Sequence, residues 1–146
     1  MADLSPIFAR ICGKEDQEKL KAIDLVAFDV IGTLVDHNGK LKRNVLSLYY
    51  AMAARDDVQL RIISSDPIDG REKLVLAGAR HLTFEGGVRT KSIFYDGVEE
   101  NKMNILVVDN EPHSVKAENA VIIDPTDPAV VVFLQTRAYR PGLHAA

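Results

Sequence analysis

One cysteine stands in 146 residues. Cys12 can form no internal disulfide and has no CxxC partner. That excludes a disulfide-stapled scaffold and a thioredoxin-type redox pair, and it points to a reducing compartment, the cytoplasm. Long apolar runs are also missing. None exceeds the length of a strand, so no segment reads as a membrane span, and residues 1–6 lack the basic head and apolar core of a secretion signal. Charge of one sign is not in excess: 18 Lys and Arg face 21 Asp and Glu, a net charge of −3 with both signs interspersed. A large electrostatic footprint for nucleic acid or an anionic membrane is therefore not expected. Repeats, low-complexity segments and linkers are absent. What remains is 47% hydrophobic, enough to bury the core of one globular domain over residues 1–146.

The most informative stretch is Leu25-Val26-Ala27-Phe28-Asp29-Val30-Ile31-Gly32-Thr33-Leu34-Val35-Asp36. An apolar run ends abruptly in a carboxylate, then a glycine and a threonine follow within four residues. This is how a buried strand delivers a reactive group to the edge of a sheet. Asp29 can serve as a nucleophile or hold a cation, Gly32 permits a tight turn, and the Thr33 hydroxyl can brace the loop. The same event recurs at 104–108, where Asn104-Ile105-Leu106-Val107-Val108 ends in Asp109-Asn110-Glu111-Pro112. Two apolar strands that each end in a carboxylate match the rule that parallel α/β sheets place ligand sites outside the carboxyl ends of their strands.

Between and beyond these stretches, the patterning alternates strands and helices. A lead-in to about residue 21 reads as a short helix or loop on the flank. Asn38-Gly39 signals a hairpin over 35–41, and the spacing predicts a helix over 44–54. A strand over 58–63 ends in Ser64-Ser65-Asp66-Pro67, ahead of a helix over 71–77. Hydroxyls there can bind an anion beside a helix N-terminus or act as ordinary caps. A short strand is predicted over 80–84 with a turn at 85–87. Thr90 or Ser92 is positioned to cap a helix over 93–100. A helix is expected after Asp109, a strand over 121–123, a helix over 129–139, and a loose tail over 140–146. The sum is a three-layer α/β sandwich with a mainly parallel sheet.

Phe28-Asp29-Val30-Ile31-Gly32-Thr33-Leu34-Val35-Asp36 resembles the first motif of the haloacid dehalogenase (HAD) superfamily, hydrophobics followed by D-x-D-G-T-L. The resemblance covers roughly residues 22–138 and implies a Rossmann-like HAD sheet with helices on both faces and no large cap domain, since the chain passes from the hairpin straight into a helix. Ser64 resembles the second-motif hydroxyl, with Ser65 the alternative if the strand register differs by one. Lys91 resembles the third-motif lysine that balances the site's negative charge; Lys73 and Lys102 are less well placed. Asp109 and Asn110 resemble the fourth-motif pair, followed by Ser114 and the small residue Ala117.

The resemblance implies a Mg²⁺-dependent phosphohydrolase with a phosphorylated substrate. Asp29 would form an aspartyl-phosphate, Ser64 and Lys91 would steady the phosphoryl oxygens, and Mg²⁺ would be held by Asp29, the Ile31 carbonyl, and Asp109 or Asn110. One position departs from the family pattern. Ile31 stands where a second aspartate usually protonates the leaving group, so the activity implied is slow or restricted to good leaving groups such as acyl phosphates. His37 and His113 are the candidate replacements. Ile31 and Asn110 together also suit an alternative, a HAD-like domain that binds a ligand or protein without catalysis. Dehalogenation comes last, because it relies on a cap insertion. A homo-oligomer is left open.

Overall fold

The computed structural model describes residues 1–83 and 86–136. Two short helices, α1 (Ser5–Phe8) and α2 (Lys14–Leu20), precede β1 (Leu25–Asp29). There follow α3 (Arg43–Ala53), β2 (Gln59–Ser64), α4 (Pro67–Leu76), β3 (Val88–Thr90), α5 (Lys91–Glu100), β4 (Ile105–Val108), β5 (Ala120–Ile123) and α6 (Pro128–Thr136). The strands form one parallel sheet in the order β3-β2-β1-β4-β5. This is the Rossmann-like α/β sandwich that the alternating pattern predicts. No described helix is long and apolar enough to cross a membrane.

β1 lies at the centre of the sheet, and all five of its residues are buried, as are the four of β4 beside it. Strands covered on both faces read as continuous apolar runs, which is why these two stand out in the sequence. Alternation divides their side chains between two cores. Val26, Phe28, Leu106 and Val108 face the larger core with α3, α4 and α6, whereas Leu25, Ala27, Ile105 and Val107 face a smaller one with Phe94, Tyr95 and Val98 of α5. On α3, Val45, Leu48 and Met52 are buried at helical spacing. On α5, Lys91, Phe94, Tyr95 and Val98 share one buried face.

The connections account for this layering. The chain steps outward from β1 to β2 and β3 through α3 and α4 on one face, then reverses past β1 to reach β4. Right-handed crossovers require the reversed connection, α5, to run over the opposite face. The strand order therefore turns over at β1 and β4, and the carboxyl ends of these two strands form the switch point of the sheet.

Several expected elements differ. Residues 80–83 form a 3-10 turn in place of a strand; the Thr83 hydroxyl donates to the Arg80 carbonyl at 2.7 Å and closes it. The strand next to β2 is Val88–Thr90 instead. Only a 3-10 turn, Pro112–Ser114, follows Asp109, so Ala117 is not on a helix; Val115 and Ala117 pack against the α5 core from an irregular segment. The hairpin over 35–41 reduces to a single bridge between Val35 and Leu41, with Gly39 in the left-handed region at the turn. α4 and α5 each start earlier than their predicted ranges, and Thr90 takes the N-cap position of α5 without a side-chain bond. The expected placements of 84–85 and 137–146 lie outside the described residues.

Candidate active site

Asp29 ends β1, and Asp109 directly follows Val108, which is paired with Phe28. The register thus sets the two carboxylates side by side on adjacent parallel strands. Asp29 is 5% exposed and Asp109 is fully buried. Lys91, the first residue of α5, lies between them: its Nζ is 3.2 Å from Asp29 Oδ1 and 2.8 Å from Asp109 Oδ2. Both Asp109 oxygens have further partners within the chain: Oδ1 accepts the Glu111 N–H at 2.9 Å, and the Ser114 hydroxyl, shared with the Glu111 carbonyl at 2.8 Å, lies 3.2 Å from Oδ2.

The other side of Asp29 is held by the loop that follows it. The buried Thr33 hydroxyl donates to Asp29 Oδ2 at 3.1 Å and accepts the Asn110 backbone N–H at 3.0 Å, which ties the loop after β1 to the loop after β4. The Asn110 side chain completes this side. Its amide nitrogen, in the orientation its neighbours select, donates to Asp29 Oδ2 at 2.9 Å and to the Ile31 carbonyl at 3.1 Å. Gly32 makes this approach available. Its φ is +86°, and a Cβ there would overlap the Asn110 amide. A Gly32→Ala variant combines left-handed strain with that collision, so it is expected to lose about 1–3 kcal/mol of stability in urea titration.

Two like charges close together in a dry site cannot both ionise freely. Burial, and then the neighbouring Asp109, push the Asp29 carboxyl up to about 6, with Lys91 and Thr33 working against them. Lys91 shows the complementary balance: burial works to lower its affinity for protons, but Asp109 and Asp29 together outweigh it and the net direction is upward. Tyr95 sits one helical turn after Lys91 and is a participant the sequence reading missed. Its hydroxyl is buried with no hydrogen-bond partner among the described residues, and burial, Asp109 and Asp29 raise its pKa. The signal available for it was the i, i+4 spacing from Lys91 on one helix face.

The remaining predicted site residues fall differently. Ser64 is buried at the end of β2, but its hydroxyl donates to the Asp66 carbonyl at 2.9 Å and accepts the Asp66 N–H at 3.2 Å. It closes the turn into α4 and makes no bond to Asp29, Lys91 or Asp109. Gly70 of α4 packs on it so closely that a Cβ would stand 2.9 Å from the Ser64 Oγ. Ser65 is exposed, as are His37 and His113. The Ile31 side chain packs against the larger apolar core and leaves only its carbonyl in the site.

Among the described residues, no group of three His, Cys, Asp or Glu side chains forms a metal cage. The oxygens gathered on one side of Asp29 are its own Oδ2 and the Ile31 carbonyl, and the Asn110 amide nitrogen donates to both. The separations of 2.9 and 3.1 Å from the Asn110 amide to the other two are close to the distance of about 3 Å between neighbouring ligands of a small octahedral cation. Turning the Asn110 amide over would present oxygen to that point. Asp109 is directed at Lys91, away from this set. Known protein-family models, curated proteins and solved structures contain no match to this chain.

Proposed function

We propose that the protein is a HAD-like phosphohydrolase that works through an aspartyl-phosphate on Asp29. The observation that supports this best is the position of Asp29 at the switch point of the sheet, held on Oδ2 by Thr33 and on Oδ1 by Lys91. A carboxylate fixed at both oxygens is aimed rather than merely present. In the first step an Asp29 oxygen forms a bond to phosphorus while the bond to the leaving oxygen breaks, and the electron pair departs with that oxygen. Water then attacks the aspartyl-phosphate, releases inorganic phosphate and restores the carboxylate. Lys91 balances the negative charge that accumulates as the phosphoryl group arrives. Asp29, the Ile31 carbonyl and, with its amide turned over, Asn110 would hold Mg²⁺, which when bound would neutralise phosphoryl charge. Substrates are phosphorylated compounds in an aqueous compartment.

Ile31 leaves the leaving group without a proton from the usual position. A general acid is typically worth about 10² to 10⁴ in rate, so acetyl phosphate is expected to turn over faster than alkyl phosphates. The test is a panel of phosphate monoesters and acetyl phosphate, with and without Mg²⁺, beside Asp29→Asn. Metal-dependent turnover that is lost in the variant supports the reading. An Ile31→Asp variant is expected to gain about 10²-fold or more on alkyl esters. No turnover above the Asp29→Asn control on any substrate overturns it. That outcome favours the second reading, a binding module, for which the supporting observation is that Asn110 already satisfies the oxygens of Asp29 and Ile31 within the chain.

A further inference from the structure

The face of the sheet that carries α5 is covered unevenly. The buried side chains of α5 pack with Leu25 and Ala27 of β1, Ile63 at the far end of β2, and Ile105 and Val107 of β4, and β3 pairs only with Ile62, Ile63 and Ser64 of β2, so the first half of β2 is left with an open outer edge. Arg61 on β2 and Arg89 on β3 project on this side; Arg89 is in register with the buried Ile63. Both line a cavity of about 600 Å³ between this part of the sheet and α5, and both also line the adjoining cavity on the edge of β2. Among the described residues, no carboxylate lines either cavity, in a chain where acidic residues outnumber basic ones by 21 to 18.

The arginines are arranged unlike a solvated sheet face. Arg61 is half-buried, and among the described residues its guanidinium is held by neutral acceptors, the Leu60 carbonyl at 2.7 Å and the Gln59 Oε1 at 2.9 Å. Burial, and then the like charge of Arg89, lower its affinity for its proton. Arg89 forms no hydrogen bond or ion pair among the described residues. Two cations that face one cavity with no counter-charge among the described residues repel each other, and a bound anion relieves that repulsion. Guanidinium forks match the oxygens of phosphate and carboxylate groups. The opposite wall is apolar, with the exposed Ile93 and the ring of Phe94.

We propose that this cleft binds a small organic oxyanion, its charged head against Arg61 and Arg89 and its apolar body against Ile93 and Phe94. The site is distinct from the Asp29 cluster, since none of Asp29, Lys91 and Asp109 lines the cavity, and it does not depend on the catalytic reading. The cavity lies in the size range of small-ligand pockets.

Phenylphosphonate, which has no ester bond to cleave, is the first probe, followed by benzoate and by benzyl alcohol as a neutral control. Titration is read by amide and arginine side-chain NMR shifts on the full chain. Saturable shifts at Gln59, Arg61, Arg89, Ile93 and Phe94 with both anions are expected, and none there with benzyl alcohol. Arg89→Gln alters an exposed side chain and is expected to weaken binding about tenfold, the least that loss of a charge-assisted contact brings, with the spectrum elsewhere unchanged. Shifts confined to the surroundings of Asp29, Lys91 and Asn110 would overturn the proposal. So would equal response to benzyl alcohol, or affinity that Arg89→Gln leaves intact.

Discussion

A Lys91→Met variant is expected to lose about 3–5 kcal/mol of stability at neutral pH, the range found when one partner of a buried ion pair is removed. The size follows from what Lys91 separates. Asp109 is fully buried and Asp29 nearly so, and the lysine lies within 3.2 Å of both carboxylates. Methionine keeps the stem and deletes the charge, which leaves two carboxylates facing one another in a dry site. Removing Lys91 also removes the principal influence that holds the Asp29 pKa down, so in the variant that group takes up a proton at still higher pH. A protonated Asp29 no longer repels Asp109. The loss is therefore expected to shrink at about pH 5 compared with pH 7.5, and paired urea titrations at the two values measure it. A loss below about 1 kcal/mol, or one of equal size at both pH values, would contradict the charge balance described for this cluster.

The second large effect runs the other way. Asp29→Asn is expected to stabilise the fold by about 2–3 kcal/mol at pH 7.5 while it removes the nucleophile. The sign follows from the direction of the shift. The Asp29 carboxyl titrates at about 6 in the folded protein, against about 3.9 for an unfolded aspartate. Between those values the folded state binds more protons than the unfolded one, so stability falls as pH rises from about 4 and the full loss is reached above about 6. Asparagine carries no charge and does not pay this penalty. It still offers an oxygen to Thr33, and it leaves Lys91 and Asp109 as a neutral pair. The two stability curves should converge near pH 4, separate between about pH 4 and 6, and run parallel above. Equal stabilities at pH 7.5 would mean that Asp29 is not strained by its surroundings.

How far the sequence disclosed this arrangement differs from element to element. β1 and β4 were legible because a parallel strand buried on both faces must be apolar throughout, so each terminal carboxylate stands out against its run. Lys91 came from the resemblance, and its contacts with Asp29 and Asp109 depend on α5 crossing the sheet, a long-range relation that local spacing does not encode. The short pieces misled. Arg80-His81-Leu82-Thr83 has a single buried leucine flanked by polar residues, which suits a strand or a 3-10 turn equally. After Asp109 the periodicity of Val115 and Ala117 is two, and these residues cover the α5 core from an irregular segment where a helix was expected. Ser64 is at the predicted strand end, yet its hydroxyl closes a local turn, as serine hydroxyls often do, and Asp66 caps α4. Tyr95 could be recognised only once the Lys91 helix face was known to be buried.

Phosphoryl transfer to an oxygen of Asp29 is tested by incubating the protein with acetyl phosphate and Mg²⁺, quenching in acid and mapping peptides by mass spectrometry. The expected result is a phosphoryl group on the peptide that contains Asp29, absent without Mg²⁺ and absent from Asp29→Asn. An Asp29 peptide that stays unmodified while acetyl phosphate is consumed, or label that persists in Asp29→Asn, would contradict it.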